Sequence, residues 1–183
     1  MEEMETQSVR QSTPGARLSL TWGYFVVYFG LGLEIVIATP VLQQLGFSAG
    51  EVGSLWAGRS ILSIGGPVFW GLWADRLGRG RLFLMFAFMG AGLCHLGMYF
   101  CAAEPWALAS FFIVLGFFMS GVVVMVDGLV LQLLEGQHHR YGRFRLFGGL
   151  GFGLAGFGVA QMDLLQTPHF TSIFFIGSAI VYF

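Results

Sequence analysis

The chain has 183 residues, of which 56% are hydrophobic and only 10% are charged, whereas an ordinary soluble domain carries roughly 25% charged residues. This balance excludes a soluble enzyme, and the formal net charge of -1 leaves no excess of positive charge for binding nucleic acid. With 28 glycines and 20 phenylalanines, the composition predicts an all-α membrane protein.

A short polar tail, residues 1–17, lacks the basic start and apolar core of a secretory signal. Five apolar stretches follow, each long enough to cross a bilayer, which takes about 20 residues. We predict these spans at residues 18–45, 52–74, 82–102, 106–134 and 146–165. A sixth span, 170–183, has about 14 residues, fewer than the roughly 17 needed to cross. We therefore expect a six-span membrane domain over residues 18–183 whose last helix is incomplete.

The arginine content of the connections predicts the orientation of these spans. Arginines occur in the tail, between spans two and three, and between or just inside spans four and five, whereas the remaining loops have none. Because basic residues are enriched on the cytoplasmic side, we expect a cytoplasmic amino terminus. The chain is then a multi-pass protein of the plasma membrane, which is the inner membrane in a bacterium.

The connection between spans two and three, Gly71 to Arg81, reads GLWADRLGRGR. Taken alone it predicts a tight turn, because Gly78 and Gly80 permit positive φ and Asp75 can cap a helix start. Such an arginine-rich loop needs no role beyond setting topology. Its spacing, Gly-x-x-x-Asp-Arg-x-Gly-Arg-x-Arg, nevertheless resembles the signature of the major facilitator superfamily of secondary transporters.

This resemblance implies a cytoplasmic latch that steadies the outward-facing state. The latch would comprise the signature positions and a carboxylate at the end of span four: Gly71, Asp75, Arg76, Gly78, Arg79, Arg81 and Glu135. The sequence departs from the signature at Gly80, where many members carry a further basic residue. The departure would weaken the latch without removing its aspartate or its first arginine.

A second segment, Tyr141 to Phe152, reads YGRFRLFGGLGF and is similar to the start of span five in proton-coupled sugar, nucleoside and phenylpropionate permeases of that superfamily. In the sugar permeases a carboxylate on span four precedes an arginine on span five by eighteen positions, and the two hold the substrate. Asp127 and Arg145 have this separation here. Together the two matches imply the amino-terminal, six-helix half of a twelve-span transporter.

Four ionisable residues fall inside the predicted spans or at their edges: Glu34, Arg59, Asp127 and Arg145. Each costs about 2.5 to 3.5 kcal/mol at a helix centre, so we expect them to face inward and to have partners. At 1.5 Å rise per residue, Glu34 and Arg59 lie at equal depths on neighbouring antiparallel helices, roughly 12 to 14 Å from the surface. This predicts an ion pair that either locks the two helices together or makes Glu34 a proton site.

Asp127 and Arg145 are candidates for binding the solute, because a carboxylate beside a guanidinium can bind sugar hydroxyls or a substrate carboxylate. Arg145 could also be only the last basic residue of an inside loop. Tyr28 lies four residues from Tyr24 on one helical face and close in phase to Glu34, so it could line the same cavity. An interfacial or packing role is the alternative for both tyrosines.

Glycines of span five produce one misleading motif and one informative motif. Gly151, Gly153 and Gly156 spell GxGxxG, but a dinucleotide fold needs a preceding strand and a soluble sheet. Gly149 and Gly153 have GxxxG spacing, which predicts close approach of two helix backbones. We see no catalytic motif or metal-ligand spacing, and therefore expect no enzymatic activity, no cofactor and no metal.

These patterns favour a secondary active transporter, a proton-coupled symporter of a small organic solute that works by alternating access. Its expected partners are the solute, protons and the lipid bilayer, with a missing carboxy-terminal half or a second copy completing the pathway. The alternatives are a truncated or accessory membrane protein that does not translocate alone, and a facilitator of the drug-efflux type.

Overall fold

The computed structural model describes residues 14–134 and 141–161, together with Phe174 and Gly177. The continuous parts form five helices: α1 (Pro14–Gln44), α2 (Ala49–Leu77), α3 (Gly80–Phe100), α4 (Pro105–Leu134) and α5 (Tyr141–Gln161). Within these ranges there is no strand, which confirms the all-α prediction there. The first 13 residues and nearly all of the predicted sixth span lie outside the described part, so the structure has five described helices where six spans are predicted.

Three of the helices contain segments long and apolar enough to cross a membrane by length and composition: Thr21–Gln44, Gly80–Phe100 and Pro105–Gln132. The charges of α2 and the many glycines of α5 lower the hydropathy of the other two described helices. Even so, α2 presents large apolar side chains outward, and Ile61, Ile64 and Val68 are each more than 60% exposed. Contiguous exposed apolar surface of this kind is suited to contact with lipid.

The ends of α2 are defined by local hydrogen bonds. At its start the Ser48 hydroxyl accepts from the backbone N–H of Glu51, and the Glu51 carboxylate accepts from the Ser48 N–H at 2.8 Å. At its end Gly78 adopts the left-handed conformation, with φ 59° and ψ 26°. This conformation lets the chain reverse after Leu77, and glycine adopts it without a Cβ penalty.

Two details of the predicted turn between α2 and α3 are therefore wrong. Asp75 lies in the last turn of α2, because that helix continues to Leu77, so it does not cap a helix start. Gly80 is the first residue of α3 and is not among the described glycines with positive φ, which are Gly46 and Gly78. One left-handed residue suffices for the reversal.

Helix packing divides the described bundle into two groups. Helix α1 packs chiefly against α5, whereas α4 packs extensively against both α2 and α3. Contacts between α1 and α2, and between α4 and α5, are sparse by comparison. The α1–α5 pair and the α2–α3–α4 group therefore meet along a lightly packed seam.

Glycines let α1 and α5 approach closely. A Cβ placed on Gly148 would lie 2.6 Å from Cε1 of Tyr24, and one on Gly151 would lie 2.6 Å from the carbonyl oxygen of Phe25. On the opposite helix, a Cβ on Gly32 would lie 2.8 Å from a backbone oxygen of α5. Real Cβ atoms do not approach other atoms this closely, so a side chain at these positions would push the helices apart.

The predicted close-contact pair of glycines is wrong in register. Gly149 and Gly153 have no atom within 4 Å of the position that a Cβ would take, and both are exposed. The contacts fall on Gly148 and Gly151 instead. GxxxG spacing can identify a helix that permits close packing, but the position of the partner helix decides which glycines face it.

The buried core consists of two clusters. The first contains Leu42 of α1, Met98 of α3 and Leu108 of α4, each at most 1% exposed. The second contains Tyr24 of α1 and Val122 of α4, which are equally inaccessible. Each cluster adjoins one of the two ionisable sites described below.

Candidate functional site

One candidate site is a buried ion pair between α1 and α2. The Glu34 carboxylate Oε1 contacts Nη2 of Arg59, and the two side chains are 2% and 7% exposed. The predicted contact between these residues is thus confirmed, whereas a role in proton movement stays a prediction. The Arg59 guanidinium also lies 5.0 Å from the ring centres of Trp56 and Phe112, close enough for cation–π attraction.

The surroundings of Arg59 hold this buried pair, Glu34–Arg59, in place. Trp56 donates from its indole nitrogen to the Thr39 hydroxyl at 3.0 Å, which links α2 to α1. On the other side, a Cβ on Gly116 would lie 2.7 Å from the Arg59 carbonyl oxygen, so α4 touches the α2 backbone there. Arg59 Nη1 is buried without a hydrogen-bond partner among the described residues. The guanidinium is therefore held by its carboxylate and by aromatic faces.

A small cavity beside the buried pair contains a residue that the sequence analysis missed. His95 of α3 is fully buried, and its Nδ1 lies 2.9 Å from the Ala91 carbonyl oxygen. It lines the cavity together with Glu34, and the remaining lining is apolar: Ala38, Val41, Leu42, Met98, Phe112, Leu115 and Phe174. The empty space is about 250 Å³, part of it open to solvent. A histidine within an apolar span is an ionisable residue in a costly place, and that signal could have identified it.

The second candidate site, the tyrosine–aspartate cluster, contains Tyr24, Tyr28, Asp127, Tyr141 and Arg145. Tyr24 donates its hydroxyl to Oδ1 of Asp127 at 2.5 Å, joining α1 to α4. The Tyr28 ring stacks on the Tyr24 ring with 4.7 Å between centres, and their hydroxyl oxygens are 3.3 Å apart. Two stacked rings therefore lie beside one carboxylate.

The arginine of this cluster approaches the carboxylate from α5. Arg145 Nη1 is 3.9 Å from Oδ2 of Asp127 and donates to the Tyr141 hydroxyl at 3.1 Å. The structure thus brings the predicted Asp127 and Arg145 together, although not at hydrogen-bond distance. The Arg145 side chain is 64% exposed and the Asp127 side chain 23%. Because a charged group facing lipid is costly, this exposure indicates a water-accessible face.

Sequence reasoning found the charged members of this cluster and missed part of its hydrogen bonding. Tyr24 was considered only as a neighbour of Tyr28, yet it is the residue that bonds Asp127. Tyr141 was missed as the partner of Arg145, although the two are four residues apart on one helix, a spacing that brings side chains together.

The predicted latch is only partly described by the structure. Asp75, Arg76, Arg79 and Arg81 are exposed near the turn between α2 and α3, and Gly71 lies in the penultimate turn of α2. Glu135 lies outside the described residues. In the part of the chain that the structure describes, Asp75 makes no ion pair. The latch therefore stays a prediction. A search of the same residues finds no group of three or more His, Cys, Asp or Glu that could hold a metal ion.

Comparison with known proteins gives a family and three relatives. A family model described as the MFS_1 like family matches residues 17–182. A ribitol transporter from Klebsiella pneumoniae is 27% identical over 155 residues, which cover 82% of this chain and 35% of that protein. A maltose permease from Geobacillus stearothermophilus is 27% identical over 133 residues, or 72% of this chain and 34% of the permease.

The third relative, the uncharacterized transporter YwbF of Bacillus subtilis, is 26% identical over 161 residues, covering 86% of this chain and 39% of that protein. The chain therefore spans about a third to two fifths of the length of the curated relatives it matches. No solved structure gives a significant match.

Proposed function

The chain belongs to the MFS_1 like family of the major facilitator superfamily, and from that premise we propose that it forms the solute-binding half of a secondary active transporter. Family membership and the three apolar helices make it an integral membrane protein. The observation that carries the proposal is the tyrosine–aspartate cluster, where a carboxylate, a guanidinium and two stacked phenol rings lie together at the α1–α4–α5 junction.

Free hydrogen-bonding capacity in this cluster favours a hydroxyl-rich solute. Asp127 uses Oδ1 for Tyr24, while Oδ2 is 3.9 Å from Arg145, which leaves room for a solute hydroxyl to donate to it. A guanidinium has five N–H donors, and Arg145 donates one of them to Tyr141. The pair thus offers both an acceptor and donors, the combination that a hydroxyl group needs.

Charge balance further favours an uncharged solute. The negative charge of Asp127 and the positive charge of Arg145 offset each other, so a neutral polyol or sugar adds no net charge to a site within the membrane. The names of two relatives, a ribitol transporter and a maltose permease, support the same class of solute.

The proposed mechanism is alternating access driven by proton entry. The site needs an opposite wall, which a second half would supply, either further sequence of the same protein or a second copy of this chain. Helix α1 carries both sites, with Glu34 ten residues, or roughly 15 Å, beyond Tyr24. A change at the buried pair can therefore move the helix that binds the solute. The arginine pattern and the bacterial sources of the relatives favour an inner-membrane protein with a cytoplasmic amino terminus.

The test is uptake of radiolabelled ribitol and maltose by proteoliposomes that contain the full-length protein, with and without an inward proton gradient. We expect uptake that the gradient stimulates and a protonophore abolishes, and we expect Asp127→Asn to lose it because the carboxylate acceptor becomes an amide. Glu104→Gln is the matched control, since it removes an exposed carboxylate from the loop after α3.

Four outcomes would contradict parts of this proposal. Uptake that Asp127→Asn leaves unchanged would remove the substrate site from the tyrosine–aspartate cluster. Uptake without proton dependence would indicate facilitated movement of the solute. Binding of the labelled solute without accumulation would favour the accessory, non-translocating alternative, and export against a gradient would favour the efflux type.

A further inference from the structure

The cavity beside the buried pair places three ionisable groups from three helices in one apolar region. Glu34 of α1 and His95 of α3 both line it, and Arg59 of α2 contacts the Glu34 carboxylate. The neighbouring Cys94, which is 3% exposed, is a further titratable group beside this region among the residues that the structure describes. Helix α4 contributes only apolar side chains to the lining, as does the described residue Phe174.

Hydrogen bonding fixes which nitrogen of His95 can accept a proton. The Ala91 carbonyl oxygen can only accept a hydrogen bond, so the Nδ1 that lies 2.9 Å from it carries the hydrogen. In the neutral ring Nε2 then holds the lone pair. A proton that enters the cavity therefore adds at Nε2 and converts the neutral imidazole into an imidazolium, with no other bond made or broken.

Adding that charge changes the balance at the buried pair. With neutral His95, the single negative charge of Glu34 has one positive partner, Arg59, and the cluster has no net charge. With protonated His95, one carboxylate faces two cations in an apolar setting. The imidazolium attracts Glu34 and repels Arg59, so the carboxylate gains a second partner at the expense of the first.

The ion pair is also one of the polar side-chain contacts that join α1 directly to α2. Helices α1 and α2 make sparse contacts, and the Glu34–Arg59 pair and the Trp56–Thr39 hydrogen bond join them where they meet. Loosening the ion pair would weaken the attachment of α1 to α2, and α1 also carries Tyr24 and Tyr28 of the tyrosine–aspartate cluster.

We propose that His95 is the proton acceptor of this transporter half, and that its protonation draws Glu34 away from Arg59 and so releases α1 from α2. The inference rests on the proposed proton-coupled function and names the positioning residue that would link proton entry to helix movement. The group that gains and loses the proton is the imidazole on α3.

Trp56 is a built-in reporter of this step, because the Arg59 guanidinium lies 5.0 Å from its ring centre. The full-length protein, labelled with 5-fluorotryptophan and placed in lipid nanodiscs, is titrated by fluorine NMR between roughly pH 5 and 8, where histidines change charge. The Trp56 resonance is assigned by its loss in Trp56→Phe, and the 88% exposed Trp106 serves as the internal reference. We expect the Trp56 resonance to move with pH through a single midpoint.

Two variants of His95 test whether the imidazole causes the movement. His95→Asn keeps an amide donor near Nδ1 for the Ala91 carbonyl and removes the titrating nitrogen, and His95→Gln is the second variant should the first not fold. Either should hold the Trp56 resonance at its high-pH position throughout, while the control Glu104→Gln should titrate like the unmodified protein. A pH-dependent Trp56 resonance that persists without His95, or a resonance that never moves in the unmodified protein, would overturn the inference.

The NMR result is independent of the uptake result. A Trp56 resonance that moves with pH, in a protein that accumulates no solute, would support the role of His95 and contradict the proposed transport. Proton-driven uptake with a Trp56 signal unaffected by pH would sustain the transport and overturn the role of His95.

Discussion

The buried pair and the tyrosine–aspartate cluster contain the same two chemical groups in opposite settings. In the buried pair, carboxylate and guanidinium touch directly and are 2% and 7% exposed. In the cluster, the corresponding groups are 3.9 Å apart and 23% and 64% exposed. A sealed pair has given up its hydration and depends on its partner, whereas an open pair keeps water and can exchange it for a solute. Environment, and not residue type, therefore distinguishes the buried pair from the exposed one.

The packing around each pair explains this difference. Trp56 and Phe112 cover the Arg59 guanidinium, and the lining of the adjacent cavity is otherwise apolar apart from His95. Arg145 instead lies in the second turn of α5, where its partners are hydroxyl and carboxylate groups. The first pair is thus enclosed by aromatic and apolar side chains, whereas the second lies among polar groups.

The largest effect is expected from breaking the sealed pair. Arg59→Gln leaves the Glu34 carboxylate buried without its cation, which should lower the free energy of unfolding by roughly 3 to 5 kcal/mol. Thermal and denaturant unfolding in detergent would measure this loss. The double variant Glu34→Gln with Arg59→Gln should recover most of it, since two neutral amides remain. A double variant as unstable as the single one would show that the charges are not coupled.

A smaller loss should follow from separating the helices that carry the open cluster. Gly148→Ala places a methyl group 2.6 Å from the Tyr24 ring, and such overpacking costs roughly 1 to 3 kcal/mol. The matched control is Gly149→Ala, because no atom lies within 4 Å of its new methyl group. The two variants differ by one residue of register, and equal thermal stability for both would contradict the described packing of α1 against α5.

A third carboxylate, Glu51, lies outside the membrane-spanning part and accepts hydrogen bonds from neutral donors of Ser48. These bonds lower the pKa of Glu51, so its contribution to stability is present above the unfolded-state pKa and is lost as pH falls through the lower folded-state value. Ser48→Ala removes the cap and should cost about 1 kcal/mol near neutral pH. Measured as a function of pH, the free energy of unfolding should fall less on acidification in this variant than in the unmodified protein.

The control for the cap is Ser110→Ala, whose hydroxyl bonds only the Trp106 carbonyl one turn earlier in α4. Such a bond within a helix adds little stability. An acid sensitivity that is the same with and without the Ser48 hydroxyl would contradict the assigned capping role.

The smallest effect on stability is expected in the open pair. Arg145→Gln should change the free energy of unfolding by less than about 1 kcal/mol, because exposed ion pairs contribute little. The same variant should nevertheless lose solute binding, since a guanidinium donor is removed from the cluster. Equilibrium binding of labelled ribitol and thermal unfolding, measured on one preparation, would separate these effects. A loss of several kcal/mol would show that Arg145 is structural.

How much the sequence could predict depends on the range of the interaction concerned. Hydropathy located the five described helices, and equal depth on antiparallel neighbours predicted the contact between Glu34 and Arg59. The proximity of Asp127 and Arg145 came from a family resemblance and not from spacing alone. Helix ends were harder to predict from the sequence, because α2 continues past its apolar stretch and ends at the left-handed Gly78.

The sequence alone could not predict the features that depend on how the helices pack against each other. The predicted glycines, Gly149 and Gly153, lie one and two positions from the observed Gly148 and Gly151, because tertiary packing decides where α1 contacts α5. His95 has no charged neighbour on its own helix and meets Glu34 only across the cavity. The link between Tyr24 and Asp127 joins residues 103 positions apart.

Access of water distinguishes the two pairs most directly. In a protein with Cys94 and Cys101 replaced by alanine, single cysteines at Asp127→Cys and Ala38→Cys are exposed to a charged, membrane-impermeant thiosulfonate reagent. Ala38 lies one turn from Glu34 and is 5% exposed, so it reports on the buried pair without breaking it. We expect rapid labelling at position 127 and none at position 38. An unreactive position 127, or equal labelling at both positions, would contradict the account.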